Sequence, residues 1–261
     1  MKVMILCGGV GTRLRELTEI RPKPMVEVGG RPILWHIMKL YAHHGMDDFI
    51  LCLGYKGSMI KEYFLNYESM NSDFSVELGK KNSIAFHDHN HNEAGWRVTL
   101  ADTGEKTMTG GRIMRAARYL EGKGTFAATY GDGVTDADLA AALAYHRKMG
   151  RLATLTGVRP PSRFGELIAD GGLVRAFTEK PQVAEGLING GFFFFEPAFL
   201  RYLTADEDCV LERAPLERCA ADGQLSVYRH DGYWQCMDTL RDWESLQSQW
   251  DTGRAPWKVW A

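Results

Sequence analysis

A short apolar strand, Val3 to Cys7, runs straight into Gly8-Gly9-Val10-Gly11-Thr12-Arg13-Leu14, and this junction restricts the fold more than any other stretch. Three glycines in four positions let the backbone turn sharply and aim its N–H groups at an anion with no side chain in the way. Arg13, and Lys23 of Lys23-Pro24-Met25, put fixed positive charge beside that cradle, so the loop points to nucleotide phosphates. Two other glycine loops are excluded by the letters. A dinucleotide fingerprint starting at Gly9 needs glycine where Leu14 stands, and no G-x-x-x-x-G-K-[ST] occurs anywhere.

Strands and helices alternate through the first 160 residues, which predicts a mostly parallel sheet wrapped by helices. The expected strands are Lys2 to Cys7, Asp48 to Leu53, Thr125 to Tyr130 and Ala153 to Val158. Ile33, Ile37, Leu40 and Tyr41 fall on one stripe of a helix from Ile33 to His43. A second helix is expected from Asp138 to Met149, with Asp136 as N-cap and Gly150 as its stop, and a third near Met59 to Phe64. Residues 66–109 are polar, with short strands at Phe74 to Leu78, Ile84 to His87 and Trp96 to Leu100, and read as an excursion from the main sheet. Beyond residue 160 the pattern is strand-rich, at Glu166 to Ala169, Val174 to Thr178, Gly190 to Phe195 and Gln224 to Tyr228, before a helix from Leu240 to Trp250. With no repeat or low-complexity linker visible, residues 1–261 read as one unit, elaborated toward its C-terminal part.

A net charge of −2 argues against nucleic acid as a partner. Five scattered cysteines without a C-x-x-C pair indicate neither a disulfide framework nor a zinc site, so a reducing cytoplasm is expected. The N-terminus lacks the pattern of a signal peptide, and no apolar run reaches the ~20 residues that span a bilayer. No membrane association is therefore expected.

Chemistry gathers at a few further motifs. Tyr130-Gly131-Asp132-Gly133 follows an apolar strand, where a carboxylate is well placed to hold a metal at the sheet's ligand-binding edge. Gln235-Cys236-Met237-Asp238-Thr239 supplies a second carboxylate; Mg²⁺ needs few protein oxygens when phosphates and waters complete its shell. Between them lie Thr178-Glu179-Lys180-Pro181 and Asn189-Gly190-Gly191, able to hydrogen-bond sugar hydroxyls and to hold a phosphate monoester.

In this order, G-G-x-G-T-R…K-P, G-D, E-K-P, N-G-G and M-D-T closely resemble the glucose-1-phosphate cytidylyltransferases within the sugar nucleotidyltransferase family. The resemblance covers essentially the whole chain and is sharpened by Pro32-Ile33-Leu34-Trp35-His36, Met108-Thr109-Gly110-Gly111-Arg112 and Pro256-Trp257-Lys258-Val259-Trp260. It implies an α/β fold, a Rossmann-like mixed, mostly parallel sheet flanked by helices, with a β-rich sugar-binding elaboration. Residues 1–160 would form the nucleotide-binding part and 161–261 the sugar-binding and C-terminal part. The implied reaction joins glucose 1-phosphate to CTP by direct displacement, giving CDP-glucose and pyrophosphate, with Mg²⁺ as cofactor.

Carried over by position, Gly8, Gly9, Gly11 and Thr12 cradle phosphates, Arg13 stabilises the departing pyrophosphate, and Lys23 bridges the α-phosphate and the attacking oxygen. Asp132 and Asp238 hold the metal; Leu6, Thr107, Arg112 and Gly131 contact the nucleotide. Gly165, Glu179, Lys180, Asn189 and Gly190 take the sugar phosphate. Backbone groups near Leu6 to Gly8 would select the base. Relatives assemble into multimers, so a homo-oligomer is implied. Another base or sugar on the same scaffold, or a non-catalytic nucleotide-sugar-binding subunit, are the alternatives; the complete set Arg13, Lys23, Asp132 and Asp238 speaks against the last.

Some conspicuous residues read as structural. His87, His89 and His91 sit in a polar, turn-rich stretch and read as a solvated face. Phe192 to Phe195 reads as a strand buried on both faces. Trp234, Trp243, Trp250, Trp257 and Trp260 read as anchors of the C-terminal segment or of a subunit interface. Cys7, where the resemblance has alanine, reads as a small buried residue rather than as part of the base pocket.

Overall fold

Side-chain alternation along strand β1 (Lys2–Cys7) sets the layering of the molecule. Val3, Ile5 and Cys7 enter one apolar cluster and Met4 and Leu6 the other, none more than 9% exposed. A strand buried on both faces requires helices on both sides.

The structure is a computed structural model that describes residues 1–80, 83–87, 91–121, 124–159, 166–170, 173–178 and 186–260. Strand β1 lies inside a seven-stranded sheet with β2 (Asp48–Leu53), β3 (Arg97–Asp102), β4 (Phe126–Tyr130), β5 (Ala153–Val158), β6 (Ile188–Phe195) and β7 (Leu225–His230). Their order is β7-β5-β6-β4-β1-β2-β3. Only β6 runs against its neighbours; the β1–β2, β1–β4, β2–β3 and β5–β7 pairs are parallel. One face of the sheet is covered by α1 (Ile33–His43), α2 (Gly57–Leu65), α4 (Leu139–Met149) and α6 (Leu240–Asp251). The other is covered by α3 (Thr109–Ala116), α5 (Ala214–Ala221) and the 3₁₀ segment Pro197–Tyr202. The fold is thus the expected α/β, mixed and mostly parallel sheet flanked by helices. Phe192 and Phe194 enter one cluster and Phe193 and Phe195 the other, as a strand buried on both faces requires.

Two expectations are corrected. Arg97–Asp102 is not part of an excursion, because it pairs in parallel with β2 from Asp48↔Arg97 to Leu53↔Asp102. It lies at the sheet's edge, where polar residues are tolerated and even favoured, and its composition disguises it. The excursion is shorter and includes the hairpin Phe74–Val76/Ile84–Phe86. Asp136 is not the cap of α4 either. Asp138 caps it by accepting from the Ala141 N–H at 2.8 Å, while Asp136 accepts from the Tyr233 N–H at 2.7 Å and pairs with the His230 ring. Gly150 does end the helix, at φ 59°.

The histidine-rich stretch pairs locally: His87 with Ser75 at 2.8 Å and His91 with Glu68 at 2.8 Å, while His89 lies outside the described residues. The tryptophans fasten the C-terminal segment onto its own chain. Trp257 is fully buried, and its Nε1–H donates to His36 Nδ1 at 3.3 Å while His36 Nε2–H donates to Val28 O at 2.8 Å. Burial pushes the His36 imidazole down to about 4, so it sits neutral between these partners. Trp243 donates to Glu27 O at 2.8 Å and Trp234 to Gly190 O at 2.7 Å.

Candidate active site

In open α/β sheets the ligand crevice lies beyond the carboxyl ends of the strands, where successive connections diverge to opposite sides. Here that place is the gap between β1 and β4, and a cleft of about 790 Å³ opens there. Gly8 and Gly9 leave β1 along one wall, and the Gly131 N–H donates to Leu6 O at 3.1 Å, closing the floor.

The local structure explains how residues far apart in sequence meet. Gly133–Thr135 pairs with Trp234–Cys236 as an antiparallel ribbon, and the Met237 N–H donates to Asp132 O at 2.8 Å. This ribbon brings Asp132, after β4, beside Asp238, before α6. A capping box between Thr239 and Asp242 starts α6, and Asp242 Oδ2 also accepts the Asp238 N–H at 3.1 Å, which fixes the second carboxylate.

Lys23 lies between the two carboxylates. Its ammonium is 2.6 Å from Asp132 Oδ2 and 2.6 Å from Asp238 Oδ1, and Arg13 reaches Asp238 Oδ2 at 2.8 Å. Burial alone would pull the Lys23 ammonium down, but the carboxylates outweigh it and hold the group above its ordinary value. Burial would likewise raise the Asp238 carboxyl, yet Lys23 and then Arg13 hold it below the usual carboxylate range. Cys236, beside them, is pushed up to about 12, by burial first and then by Asp132 and Asp238, so its thiol stays protonated and unreactive at neutral pH.

Elsewhere in the cleft lining, Arg112 is only 4% exposed. Its guanidinium donates to the carbonyls of Leu53, Gly104, Gly8 and Glu105 and to the Thr103 hydroxyl, at 2.8–3.1 Å. A Cβ on Gly8 or on Gly54 would overlap that guanidinium, so these two glycines give it room. Thr107 accepts from Arg115 at 2.7 Å.

The structure brings Leu6, Gly8, Gly9, Arg13 and Lys23 to the cleft wall, together with Thr107, Arg112, Gly131, Asp132, Asn189 and Asp238. Gly11, Thr12 and Gly190 are not in that wall. Gly11, at φ 66°, serves the turn: its carbonyl accepts from the Leu14 N–H and the Thr18 hydroxyl. The Gly190 carbonyl is taken by Trp234, and the ring that the glycine pair admits is that of Tyr130, which a Cβ on Gly191 would overlap. Gly165, Glu179 and Lys180 lie outside the described residues. The carbonyls of Leu6 and Gly8, offered as base-selecting groups, already accept from Gly131 and from Arg112. Cys7 is fully buried and faces the core.

Sequence reasoning passed over Tyr130 and Thr109, although both stand inside quoted motifs, and Lys106, for which no motif gave a signal. Among the described residues no group of three or more His, Cys, Asp or Glu side chains could hold a metal. Asp132 and Asp238, bridged here by Lys23, are two carboxylates, a donor set that would suit a hard cation whose shell phosphate and water complete.

The nucleotidyl transferase family model matches residues 2–243. The chain is 48% identical, over 260 residues and 100% of both chains, to glucose-1-phosphate cytidylyltransferase of Salmonella typhi. It is 43% identical, again over 100% of both, to the probable glucose-1-phosphate cytidylyltransferase of Bacillus subtilis. A solved structure of UDP-glucose pyrophosphorylase complexed with UDP-glucose superposes with a TM-score of 0.69 at 15% identity, covering 97% of this chain and 99% of that one. At that identity the likeness speaks for the fold alone.

Proposed function

Because the chain belongs to the nucleotidyl transferase family, we infer that it transfers a cytidylyl group from CTP to α-D-glucose 1-phosphate, giving CDP-glucose and pyrophosphate. Full-length similarity to glucose-1-phosphate cytidylyltransferases supports the choice of base and sugar. The observation that carries the chemistry is the row Arg13–Asp238–Lys23–Asp132 beside the glycine loop.

The attacking oxygen of a sugar phosphate is already ionised at neutral pH, so no protein nucleophile or base is required. What remains is alignment and neutralisation of charge in a loose phosphoryl-type transition state. Gly8 and Gly9 offer their backbone to the phosphates without side-chain hindrance, and Arg13, at the exposed rim, neutralises the leaving pyrophosphate. Lys23, on the floor, bridges the α-phosphate and the attacking oxygen. Asp132 and Asp238 would hold Mg²⁺, which when bound supplies further charge neutralisation on the nucleotide phosphates. Gly165, Glu179 and Lys180 keep the sugar-phosphate roles that the motif order gives them, beside Asn189 and Gly190.

We read the chain as one catalytic unit. All five cysteines are free, which supports a reducing cytoplasm; no helix among the described residues is long and apolar enough to cross a membrane. Assembly with copies of itself is supported by the exposed apolar side chains Leu65, Met70, Phe74, Val76 and Ile84 around the excursion.

Pyrophosphate release measured with four nucleoside triphosphates and several sugar 1-phosphates tests the reading. CTP with glucose 1-phosphate should be the preferred pair, and chelation of divalent cations should abolish turnover. Preference for another pair, or turnover undiminished by chelation, would refute the corresponding part.

A further inference from the structure

The cleft wall formed by Tyr130, Thr109 and Asn189 is organised by a carboxylate that does not line it. Backbone bonds stitch residues 205–211 to the start of α3: the Met108 N–H donates to Glu207 O at 2.7 Å and the Gly111 N–H to Cys209 O at 3.0 Å. The close approach needs Gly110 and Gly111. A Cβ at position 110 would stand 2.8 Å from Cys209 Sγ, and one at 111 would overlap the Asp206 carbonyl. This docking places Glu212 between Thr109 and Tyr130.

Every proton in the network then has one direction. The Leu211 N–H donates to Thr109 Oγ1 at 2.9 Å, and the Thr109 O–H donates to Glu212 Oε2 at 2.7 Å. The Tyr130 O–H donates to Glu212 Oε1. The phenol oxygen accepts from Asn189 Nδ2 at 3.3 Å, and Asn189 Oδ1 accepts the Gly191 N–H at 2.9 Å, which fixes the amide's orientation. Burial, and then the Glu212 charge, keep the Tyr130 phenol protonated. An ionised carboxylate is an acceptor only, so it anchors the chain of donors at one end.

We propose that Glu212 is a positioning residue that fixes the hydrogen-bond polarity of this wall, so that Asn189 presents its remaining N–H to an oxygen of the sugar 1-phosphate. This rests on reading the cleft as the site where a sugar 1-phosphate meets a nucleotide. A neutral amide at position 212 offers one acceptor and one donor and cannot receive both hydroxyls. Tyr130 or Thr109 must then turn its proton elsewhere, and where the phenol turns, Asn189 Nδ2 loses its acceptor and only the Gly191 N–H still holds the amide.

Steady-state kinetics decide the matter, using whichever nucleotide and sugar 1-phosphate the wild-type enzyme turns over. Failure of the CTP and glucose 1-phosphate pair would thus sink the substrate reading without touching this one. Glu212→Gln should raise KM for the sugar phosphate about tenfold, the scale of one hydrogen bond to a charged group, with KM for the nucleotide and kcat changed less than about threefold. Glu212→Asp should restore most of the loss. Tyr130→Phe, which removes one oxygen, should reproduce the defect, and the double variant Glu212→Gln/Tyr130→Phe should be no worse than either single one. Equal rises in both KM values, no rise in the sugar-phosphate KM, or multiplicative effects in the double variant would each overturn the proposal. Should Glu212→Gln fail to fold, Tyr130→Phe decides alone: an unchanged sugar-phosphate KM refutes.

Discussion

Two buried cations line the cleft, and they are held in opposite ways. Arg112 is surrounded by neutral acceptors, four carbonyls and a hydroxyl drawn from the ends of β1 and β2 and from residues 103–105. Lys23 is held by two carboxylates from opposite ends of the sequence. Carbonyls that already define the course of three loops cannot change partner without those loops moving, so we propose that Arg112 acts first as part of the scaffold. Carboxylates at a water-accessible cleft can exchange one counter-charge for another, so we propose that Lys23 can turn to a substrate.

The largest expected effect falls on turnover, at Lys23. Lys23→Ala should lower kcat by about 10²-fold or more while the thermal midpoint stays within a few degrees of wild type. Parallel loss of stability would erase the distinction between the two cations. By contrast, Arg112→Met should leave several buried carbonyls without donors and cost about 3 kcal/mol or more in denaturant-monitored stability. A stable variant with only a weakened nucleotide KM would move Arg112 to the ligand side.

His36 offers a third basic group held by neutral partners and sharpens the rule that such groups are scaffold. Its imidazole is lowered to about 4, so between pH 6.5 and 4 the unfolded chain takes up a proton that the folded chain refuses. Stability should therefore fall as pH falls through that window, by about 3 kcal/mol, and His36→Gln should show a smaller fall in urea titrations at pH 7 and 4.5. The smallest effect is expected from Cys7→Ala, one residue before the glycine loop but facing the core. Both KM values should stay within about twofold, since only a small buried side chain is trimmed. A larger change in the nucleotide KM would return Cys7 to the base pocket.

Much of this was legible in the sequence because it depends on local pattern. Strands β1, β2 and β5 and helix α1 begin and end where alternation and stripe place them. The convergence of Asp132 with Asp238 was legible only through motif order, since the ribbon that joins them pairs Gly133–Thr135 with residues a hundred positions later. Strand β3 was read as a strand, Trp96 to Leu100, but its place in the main sheet was hidden, because an edge tolerates the polar residues that suggested an excursion. Asp136 and Asp138 both suit a cap, and only the competing bond to Tyr233 decides between them. Glu212 had no signal at all: its partners are set by how closely Gly110 and Gly111 let a distant loop approach.

The seat of Trp257 has a consequence for the order of folding. Its partner His36 lies 221 residues earlier, in α1. Until Trp257 and Trp260 dock, the surface of α1 that they cover faces water as an apolar stripe. Native contacts of such long reach form slowly. A chain that lacks the segment around residue 257 therefore holds a sheet with one flank still open, exposed to chaperones and to aggregation.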